Sequence, residues 1–234
     1  QAIHRPKEPL EFSGRATELR QLTQRLSAIS PCVVLVVGVG GQGKSTLVSH
    51  WLMTDRSPFA AVFWCTASEE AVTFDTFLDE CLFYLREGRY NKCEAPTSDA
   101  RVRLLLNHMR EEPVLVVIDG LERWLWGWNG RRKTDHGGKN AKPRAGAFDG
   151  LDNFLAEATS ITSGSHLICT SRVIPEALQD AKVAQIPVAP PGKSMELEGL
   201  DDDAALNLLK SFGVEGDPQL LLKDLNTPNK ISIA

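Results

Sequence analysis

No apolar run in this sequence approaches the roughly 20 residues that a membrane-spanning helix needs, and no charged-then-apolar leader opens the chain. Cysteine is scarce: the five cysteines form no C-x-x-C pair, which argues against a zinc ribbon, and their odd number argues against a disulfide framework. Excess positive charge is absent too, because the formal net charge is −4, so no overall basic field attracts nucleic acid or an anionic membrane. We therefore expect a cytoplasmic protein with no membrane partner, and we do not expect nucleic acid as a partner.

Uniformly apolar segments alternate with amphipathic ones along most of the chain. The strand candidates are "CVVLVVG", "AAVFWCTA", "PVLVVIDG" and "SHLICTSR", with a further strand or short pair in "VAQIPV" and "SMELEGL". Between them apolar residues recur at helical spacing, as in Leu19, Leu22 and Leu26. Strands too apolar to have one wet face, separated by amphipathic helices, indicate a mostly parallel sheet covered by helices on both faces. The predicted fold class is therefore α/β.

The composition also suggests domain boundaries. Residues 1–11 contain two prolines and are predicted to be a linker, residues 12–198 to form the α/β domain, and residues 199–234 to begin a small helical subdomain that is incomplete. Residues 127–148 are rich in glycine and positive charge and lack periodicity, which predicts a basic insertion loop. We expect further sequence before Gln1 and after Ala234 in the natural protein.

The segment "GVGGQGKST" at residues 38–46 matches the phosphate-binding pattern G-x-x-x-x-G-K-[ST]. Positions without side chains let successive backbone N–H groups turn inward around an anion, and the following helix directs its positive end at the same phosphates. Lys44 would reach the β- and γ-phosphates, and the Ser45 hydroxyl would coordinate Mg²⁺. The pattern lies between an apolar strand and an amphipathic helix, where this mechanism requires it. The predicted nucleotide-binding residues of this loop are Gly38, Gly40, Gly41, Gln42, Gly43, Lys44, Ser45 and Thr46.

Two acidic residues follow the apolar segment "VLVVI". Asp119 stands where strand ends in such sheets meet their ligand, and a phosphate loop needs a carboxylate for its metal ion. We predict that Asp119 and Ser45 hold Mg²⁺; the alternative is that Asp119 caps a helix beginning at Leu121. Glu122 would orient or deprotonate the attacking water, and its alternative is a solvated glutamate favoured by the dipole of that helix.

Arg172 follows the strand "LICTS". Its permanent positive charge would suit it to sense a γ-phosphate, and the alternative is an exposed arginine without such a role. We group it with Lys44 and Glu122 as a candidate catalytic residue.

Two further features follow the predicted strand that ends in Asp119. Trp124, Trp126 and Trp128 alternate there, and packing or a partner surface explains them better than base stacking. The basic loop could meet nucleic acid or an acidic partner, although a solvated loop is the simpler interpretation. Its charged residues are Arg131, Arg132, Lys133, Lys139, Lys142 and Arg144.

Several segments recur here in an order typical of one family. They are "FSGRATEL", "GVGGQGKST", "VVIDGLE", "TSRVIPEAL" and "LEGLDDDAALNLL". Together they resemble the STAND class of signal-transduction ATPases, which includes NB-ARC and NACHT proteins, and they look closest to its bacterial members. The resemblance covers most of residues 11–216. It implies a P-loop core of the additional-strand type followed by a small helical domain, with an on/off state set by exchange of ADP for ATP.

The resemblance also implies roles for individual residues. Phe12 and Arg15 of the F-x-G-R element would lie beside the adenine. Asp119 would bind magnesium, Glu122 would act on the hydrolytic water, and Arg172 would sense the γ-phosphate. The phosphates and metal would go to Gly43, Lys44 and Ser45.

The leading hypothesis is a regulatory switch that binds ATP or ADP, hydrolyses ATP slowly with Mg²⁺, and forms a homo-oligomer when activated in a signalling or defence protein. Its partners would be effector and sensor domains of the same polypeptide. The alternatives are a small-molecule kinase, a DNA-associated ATPase that only the basic loop supports, and a GTPase. Guanine recognition by N-K-x-D would need an aspartate where Ser232 stands in "PNKIS".

Overall fold

The computed structural model describes residues 12, 14–27, 32–54, 59–67, 72–127, 142–179, 195–196, 200 and 202–211. Within these ranges the strands are β1 (Val33–Val37), β2 (Ala61–Thr66), β3 (Val114–Asp119), β4 (His166–Ser171) and β5 (Met195–Glu196). The α-helices are α1 (Ala16–Leu26), α2 (Lys44–Thr54), α3 (Phe74–Leu85), α4 (Ser98–Glu111), α5 (Leu151–Ala158) and α6 (Asp202–Ser211). No helix in these ranges is both long and apolar enough to cross a membrane.

The strands form a single parallel sheet in the order β2-β3-β4-β1-β5. Every residue of β1, β3 and β4 is buried, because both faces of these central strands are covered. Parallel strands connected by helices require such coverage, which explains their continuous apolar sequence. The predicted α/β fold class, a P-loop core with a parallel sheet covered by helices on both faces, is confirmed.

Alternate side chains along each strand enter two separate cores. On one face, residues of β1, β3 and β4 pack against α1 and α2, with Trp51 and Trp64 as the largest members. On the other face, α3, α4 and α5 cover the sheet, and Phe74, Phe77 and Trp124 form part of an aromatic cluster. The period-two alternation of strand side chains therefore fixes the sheet between two layers of helices.

A cluster of salt bridges connects α3 to α4. Arg101 of α4 is 4% exposed, and its Nη1 donates to both carboxylate oxygens of Asp79 at 2.9 and 3.0 Å. Its Nη2 donates to Asp75 Oδ1 at 2.7 Å. Burial opposes ionisation of Asp79, but hydrogen bonds from Lys92, Arg101 and Tyr90 outweigh it and hold the pKa of this carboxyl below its ordinary value.

The segment after β3 differs from one of the sequence interpretations. It is a short 3₁₀ turn, Leu121–Trp124, rather than an α-helix, and Gly120 precedes it with a left-handed φ of 83° and no side-chain cap. The alternative role of Asp119 as a helix cap is therefore wrong. Trp124 is 1% exposed and its Nε1 donates to the Val72 carbonyl at 3.0 Å, so this tryptophan packs in the core.

The base of the basic insertion is closed by backbone hydrogen bonds. Ala147 N–H donates to the Trp124 carbonyl at 2.8 Å, and Gly127 N–H donates to the Pro143 carbonyl at 2.8 Å. The remainder of the insertion lies outside the described residues, together with Trp128 and the basic residues Arg131, Arg132, Lys133 and Lys139. The segments 183–188 and 228–232 also lie outside them.

Candidate nucleotide-binding site

The sheet order decides which residues meet at the phosphate loop. β4 lies between β1, which leads into the loop, and β3, which ends in Asp119. Asp119 and Thr170 are partners in adjacent strands, and Gly38 N–H continues the β1–β4 pairing by donating to the Ser171 carbonyl at 3.2 Å. The carboxyl ends of three parallel strands thus meet in one place, where α/β sheets bind their ligands.

Residues 38–43 form a loop that turns directly into α2. Gly41 and Gly43 have φ angles of 80° and 78°, a left-handed region in which a Cβ would be strained. The Gln42 side chain accepts from Val39 N–H at 2.8 Å, which bridges the loop from one side to the other. The valine side chain is 71% exposed, so the loop presents its outer edge to solvent.

The Lys44 ammonium lies against the loop that precedes it. Its Nζ donates to the carbonyls of Gly38 and Val39 at 2.8 and 2.9 Å. Burial is the main reason that the pKa of Lys44 lies below its ordinary value; the negative charge of Glu122 opposes the shift, Arg172 adds to it and Asp119 opposes it. An anion in the loop would favour the charged form of this lysine and would itself be stabilised.

Asp119 is held by two hydroxyl groups. Its Oδ1 accepts from Ser45 Oγ at 2.6 Å and from Thr170 Oγ1 at 2.5 Å. The residue is 7% exposed, and within the described part of the chain no side chain or backbone group donates to Oδ2. Among the described residues, one carboxylate oxygen therefore accepts two hydrogen bonds and the other accepts none.

Ser45 and Asp119 offer the oxygen ligands that Mg²⁺ prefers. A serine hydroxyl that donates a hydrogen bond to a carboxylate still has lone pairs for a cation, and Oδ2 of Asp119 could accept from water bound to that cation. The donor set at the end of β3 and the start of α2 therefore fits a magnesium ion.

Glu122 and Arg172 form an ion pair at the edge of the loop. Arg172 Nε lies 3.1 Å from Glu122 Oε1, and Arg172 backbone N–H donates to Glu122 Oε2 at 3.3 Å. Glu122 is 5% exposed, so it is not the solvated glutamate of the alternative interpretation. A Cβ placed on Gly40 would come within 3.2 Å of the Arg172 guanidinium carbon, so this glycine lets the arginine approach the loop.

The F-x-G-R element lies beside the loop and beside α6. Arg15, with a left-handed φ of 62°, donates from Nη2 to the Gln42 carbonyl at 3.3 Å, and its Nη1 pairs with Glu18 at 2.9 Å. A Cβ on Gly14 would lie 3.0 Å from the Cβ of Ala204 in α6. One turn of the chain thus contacts the phosphate loop on one side and the start of the predicted helical subdomain on the other.

Phe12 contacts α2 at His50, which is further from the phosphate loop than Lys44 and Ser45. Its ring stacks on His50 with centroids 4.0 Å apart and planes 4° from parallel. This aromatic pair packs on the core under α2, and its place beside an adenine stays a prediction.

Thr170 and His50 also lie next to predicted site residues, although neither was predicted from the sequence. A signal for Thr170 was present, because "ICTSR" changes from apolar to polar at the same point at which "VVIDG" does. No pattern in the sequence indicates that His50 would meet Phe12. Of the predicted residues, the structure brings together Lys44, Ser45, Asp119, Glu122 and Arg172. Thr46 makes no side-chain hydrogen bond within the described part of the chain, and its Cβ lies 4.0 Å from the Cβ position of Gly43.

Comparison with known proteins adds a family to this geometry. Residues 15–127 match the family model of the NB-ARC domain. An uncharacterized WD repeat-containing protein from Nostoc sp. is 26% identical over 214 residues, which cover 88% of this chain and 15% of that protein. The transcription activator GutR from Bacillus subtilis is 27% identical over 120 residues, which cover 47% of this chain and 14% of that protein. The chain spans about a seventh of the length of these relatives.

Solved structures share the fold at low identity. A STAND protein with a tetratricopeptide repeat sensor from Pyrococcus horikoshii is 17% identical with a TM-score of 0.50, over 94% of this chain and 28% of that one. Cdc6p from Pyrobaculum aerophilum is 16% identical with a TM-score of 0.53, over 91% of this chain and 54% of that one. The NB-ARC match over residues 15–127, the order of the strands and the phosphate loop together support a nucleotide-binding ATPase module with the P-loop fold, similar to the STAND class.

Proposed function

We propose that this chain is the nucleotide-controlled switch of a larger signalling protein, binding ATP or ADP with Mg²⁺ and hydrolysing ATP slowly. The observation that carries the proposal is the convergence of a lysine, a serine, two carboxylates and an arginine at the ends of β1, β3 and β4. Polyphosphate chemistry uses this combination of groups, because each one has a separate task.

The phosphates would lie in the loop of residues 38–43 at the amino end of α2. Backbone N–H groups and the helix dipole would bind them there, and the Lys44 ammonium would leave its two carbonyl partners to reach the outer phosphates. Arg15 stabilises the loop by donating a hydrogen bond to the Gln42 carbonyl. The base would extend toward the side of α2 that carries Phe12, as the resemblance implies.

The charge balance of the site supports magnesium as part of the ligand. Lys44 and Arg172 carry two positive charges and Asp119 and Glu122 carry two negative charges, so these side chains sum to zero. A nucleotide polyphosphate brings several further negative charges into a half-buried position. A divalent cation held at Ser45 and Asp119 would neutralise part of that charge and polarise the phosphate oxygens.

The Glu122–Arg172 pair supports slow hydrolysis. A glutamate that acts on water must have a free carboxylate oxygen, and here one oxygen pairs with the guanidinium and the other accepts from a backbone N–H. A γ-phosphate would compete for Arg172 and release Glu122 toward the attacking water. ADP lacks that phosphate, so it would leave the pair in place.

The F-x-G-R turn offers a route from the nucleotide to α6. Arg15 contacts the loop, and its neighbour Gly14 packs against Ala204, which is 6% exposed in α6. A ligand that shifts the loop would therefore displace α6, which we propose begins the helical subdomain. Two arrangements that differ in nucleotide affinity are what a switch requires.

Neighbouring domains of the same polypeptide are the proposed partners. The Nostoc relative contains WD repeats and the Pyrococcus STAND protein has a tetratricopeptide repeat sensor, which supports sensor and effector domains outside this module. We further propose that the active form is a homo-oligomer in a cytoplasmic signalling or defence protein.

Mass spectrometry of the nucleotide released from denatured protein tests this proposal directly. Purified protein carrying ADP, together with ATP hydrolysis below about one turnover per second, would support the switch. Turnover at tens per second without any trigger, or equal competition by GTP and ATP for binding, would overturn it.

A further inference from the structure

We infer that Thr170 is a positioning residue that orients Asp119 for the metal ion, an inference that rests on the proposed magnesium site. Thr170 is 1% exposed at the end of β4 and is the strand partner of Asp119. It is too buried to touch a nucleotide, so any effect on the ligand must pass through Asp119.

The hydrogen bonds around Thr170 have only one consistent direction. Gly120 N–H donates to Thr170 Oγ1 at 2.9 Å, so this oxygen accepts from the backbone. The hydroxyl has a single proton, which therefore goes to Asp119 Oδ1, 2.5 Å away. The relay runs from a backbone amide through the threonine to the carboxylate.

The relay fixes which oxygen of Asp119 is available. Ser45 alone would hold Oδ1 from one side and leave the carboxylate free to rotate about its Cβ–Cγ bond. A second hydroxyl donor on the same oxygen, anchored to the backbone of the next residue, blocks that rotation. Oδ2 then remains the oxygen without a donor among the described residues, and it would be the one left for water on a cation.

Threonine suits this role better than valine or serine, the residues closest to it in size. Two heavy substituents on its Cβ restrict χ1, so the hydroxyl is held in one rotamer. Valine has nearly the same shape but lacks the hydroxyl, and serine keeps the hydroxyl with a less restricted rotamer. Partners that orient a metal ligand typically contribute about 10- to 100-fold to metal affinity.

Ser165 provides a matched control at the opposite end of the same strands. It is fully buried, its Oγ accepts from Val114 N–H at 3.0 Å, and it donates to the Glu112 carbonyl at 2.7 Å. Removing either hydroxyl leaves a backbone N–H without its partner, buried for Val114 and partly buried for Gly120, so Thr170→Val and Ser165→Ala should both reduce stability. Only the former should change the response to magnesium.

Calorimetric titration of ADP, once with excess Mg²⁺ and once with EDTA, tests the inference without requiring turnover. We expect the affinity gain from Mg²⁺ to fall about tenfold in Thr170→Val, with the affinity in EDTA unchanged, and to recover to within about threefold of wild type in Thr170→Ser. Ser165→Ala should keep the full gain. If Thr170→Val does not fold, Thr170→Cys replaces it, because a thiol is a weak donor.

The possible outcomes distinguish a failure of the proposed magnesium site from a failure of the proposed role of Thr170. A wild-type protein that binds ADP equally well with and without Mg²⁺ would overturn the proposed magnesium site and this inference with it. A wild-type protein with a clear gain from Mg²⁺, matched by an equal gain in Thr170→Val or Thr170→Cys, would overturn the inference alone. An equal loss in Ser165→Ala would also overturn it, since the effect would then be one of general stability.

Discussion

Replacing Glu122 by glutamine should make the protein prefer ATP over ADP more strongly. In the present structure Arg172 Nε pairs with Glu122, 3.1 Å away, and we expect a γ-phosphate to compete with this carboxylate for the guanidinium. ADP has no γ-phosphate and therefore does not compete for Arg172. Glu122→Gln removes the competing charge and the repulsion between the carboxylate and the γ-phosphate, so it should strengthen binding of ATP alone.

The size of the effect follows from the geometry of the pair. Two unit charges 3.1 Å apart attract by about 1.3 kcal/mol in water and about 5 kcal/mol at an effective dielectric constant of about 20. The Arg172 side chain is 49% exposed, which places the pair near the solvent-screened limit. We therefore expect the binding free energy of ATP relative to ADP to change by about 1 kcal/mol, which corresponds to about a fivefold rise in the ratio of ATP to ADP affinity.

Competitive titration with ADP and a non-hydrolysable ATP analogue, both with Mg²⁺, measures this ratio. Glu87→Gln is the matched control, because Glu87 pairs with Arg89 at 2.8 Å and is 79% exposed. That variant should leave the ratio unchanged. A ratio in Glu122→Gln within twofold of wild type, or lower than wild type, would refute the competition between Glu122 and the γ-phosphate.

Three other changes test the fold and the coupling. Arg101→Met should lower the free energy of unfolding at pH 7 by about 2 kcal/mol in urea titrations; because the pKa of Asp79 is depressed in the folded protein, this loss should shrink as the pH falls below about 4 and the carboxyl is protonated. Gly14→Val should overlap Ala204, 3.0 Å from the added Cβ, and change the protease sensitivity of α6 while ADP still binds. Gly43→Ala should weaken ADP binding in calorimetry by at least tenfold, since its φ of 78° strains any side chain in the loop.

Most of the fold could be predicted because its sequence signals are local. Apolar runs such as 33–37 and 114–118 are too uniformly apolar for any place other than the middle of a covered sheet, and the structure buries all of their residues. The phosphate loop could be located because glycine, lysine and serine must stand at fixed spacing. The alternative interpretation of Asp119 as a helix cap was wrong for a physical reason: Gly120 adopts a left-handed conformation and itself precedes a 3₁₀ turn.

Contacts between distant segments could not be predicted in the same way. The strand order places β4 between β1 and β3, and only that order brings Thr170 to Asp119 and Arg172 to Glu122. These pairs are 51 and 50 residues apart in the chain. A periodicity argument carries no information about which strands are neighbours, so the sequence identified the charged residues without showing that they were paired.

The measurement that tests the central claim most directly is the affinity of Lys44→Ala for ADP with Mg²⁺. The Lys44 ammonium is the one charged group of the described part of the loop that a phosphate would meet directly, and it now donates to two carbonyls. A hydrogen bond to a charged group contributes about 1.5–3 kcal/mol, so affinity should fall about 10- to 100-fold while circular dichroism and the melting curve stay close to those of wild type. The exposed Lys210 of α6 serves as the control, and Lys210→Ala should bind as wild type. Unchanged ADP affinity in a folded Lys44→Ala protein would contradict the account.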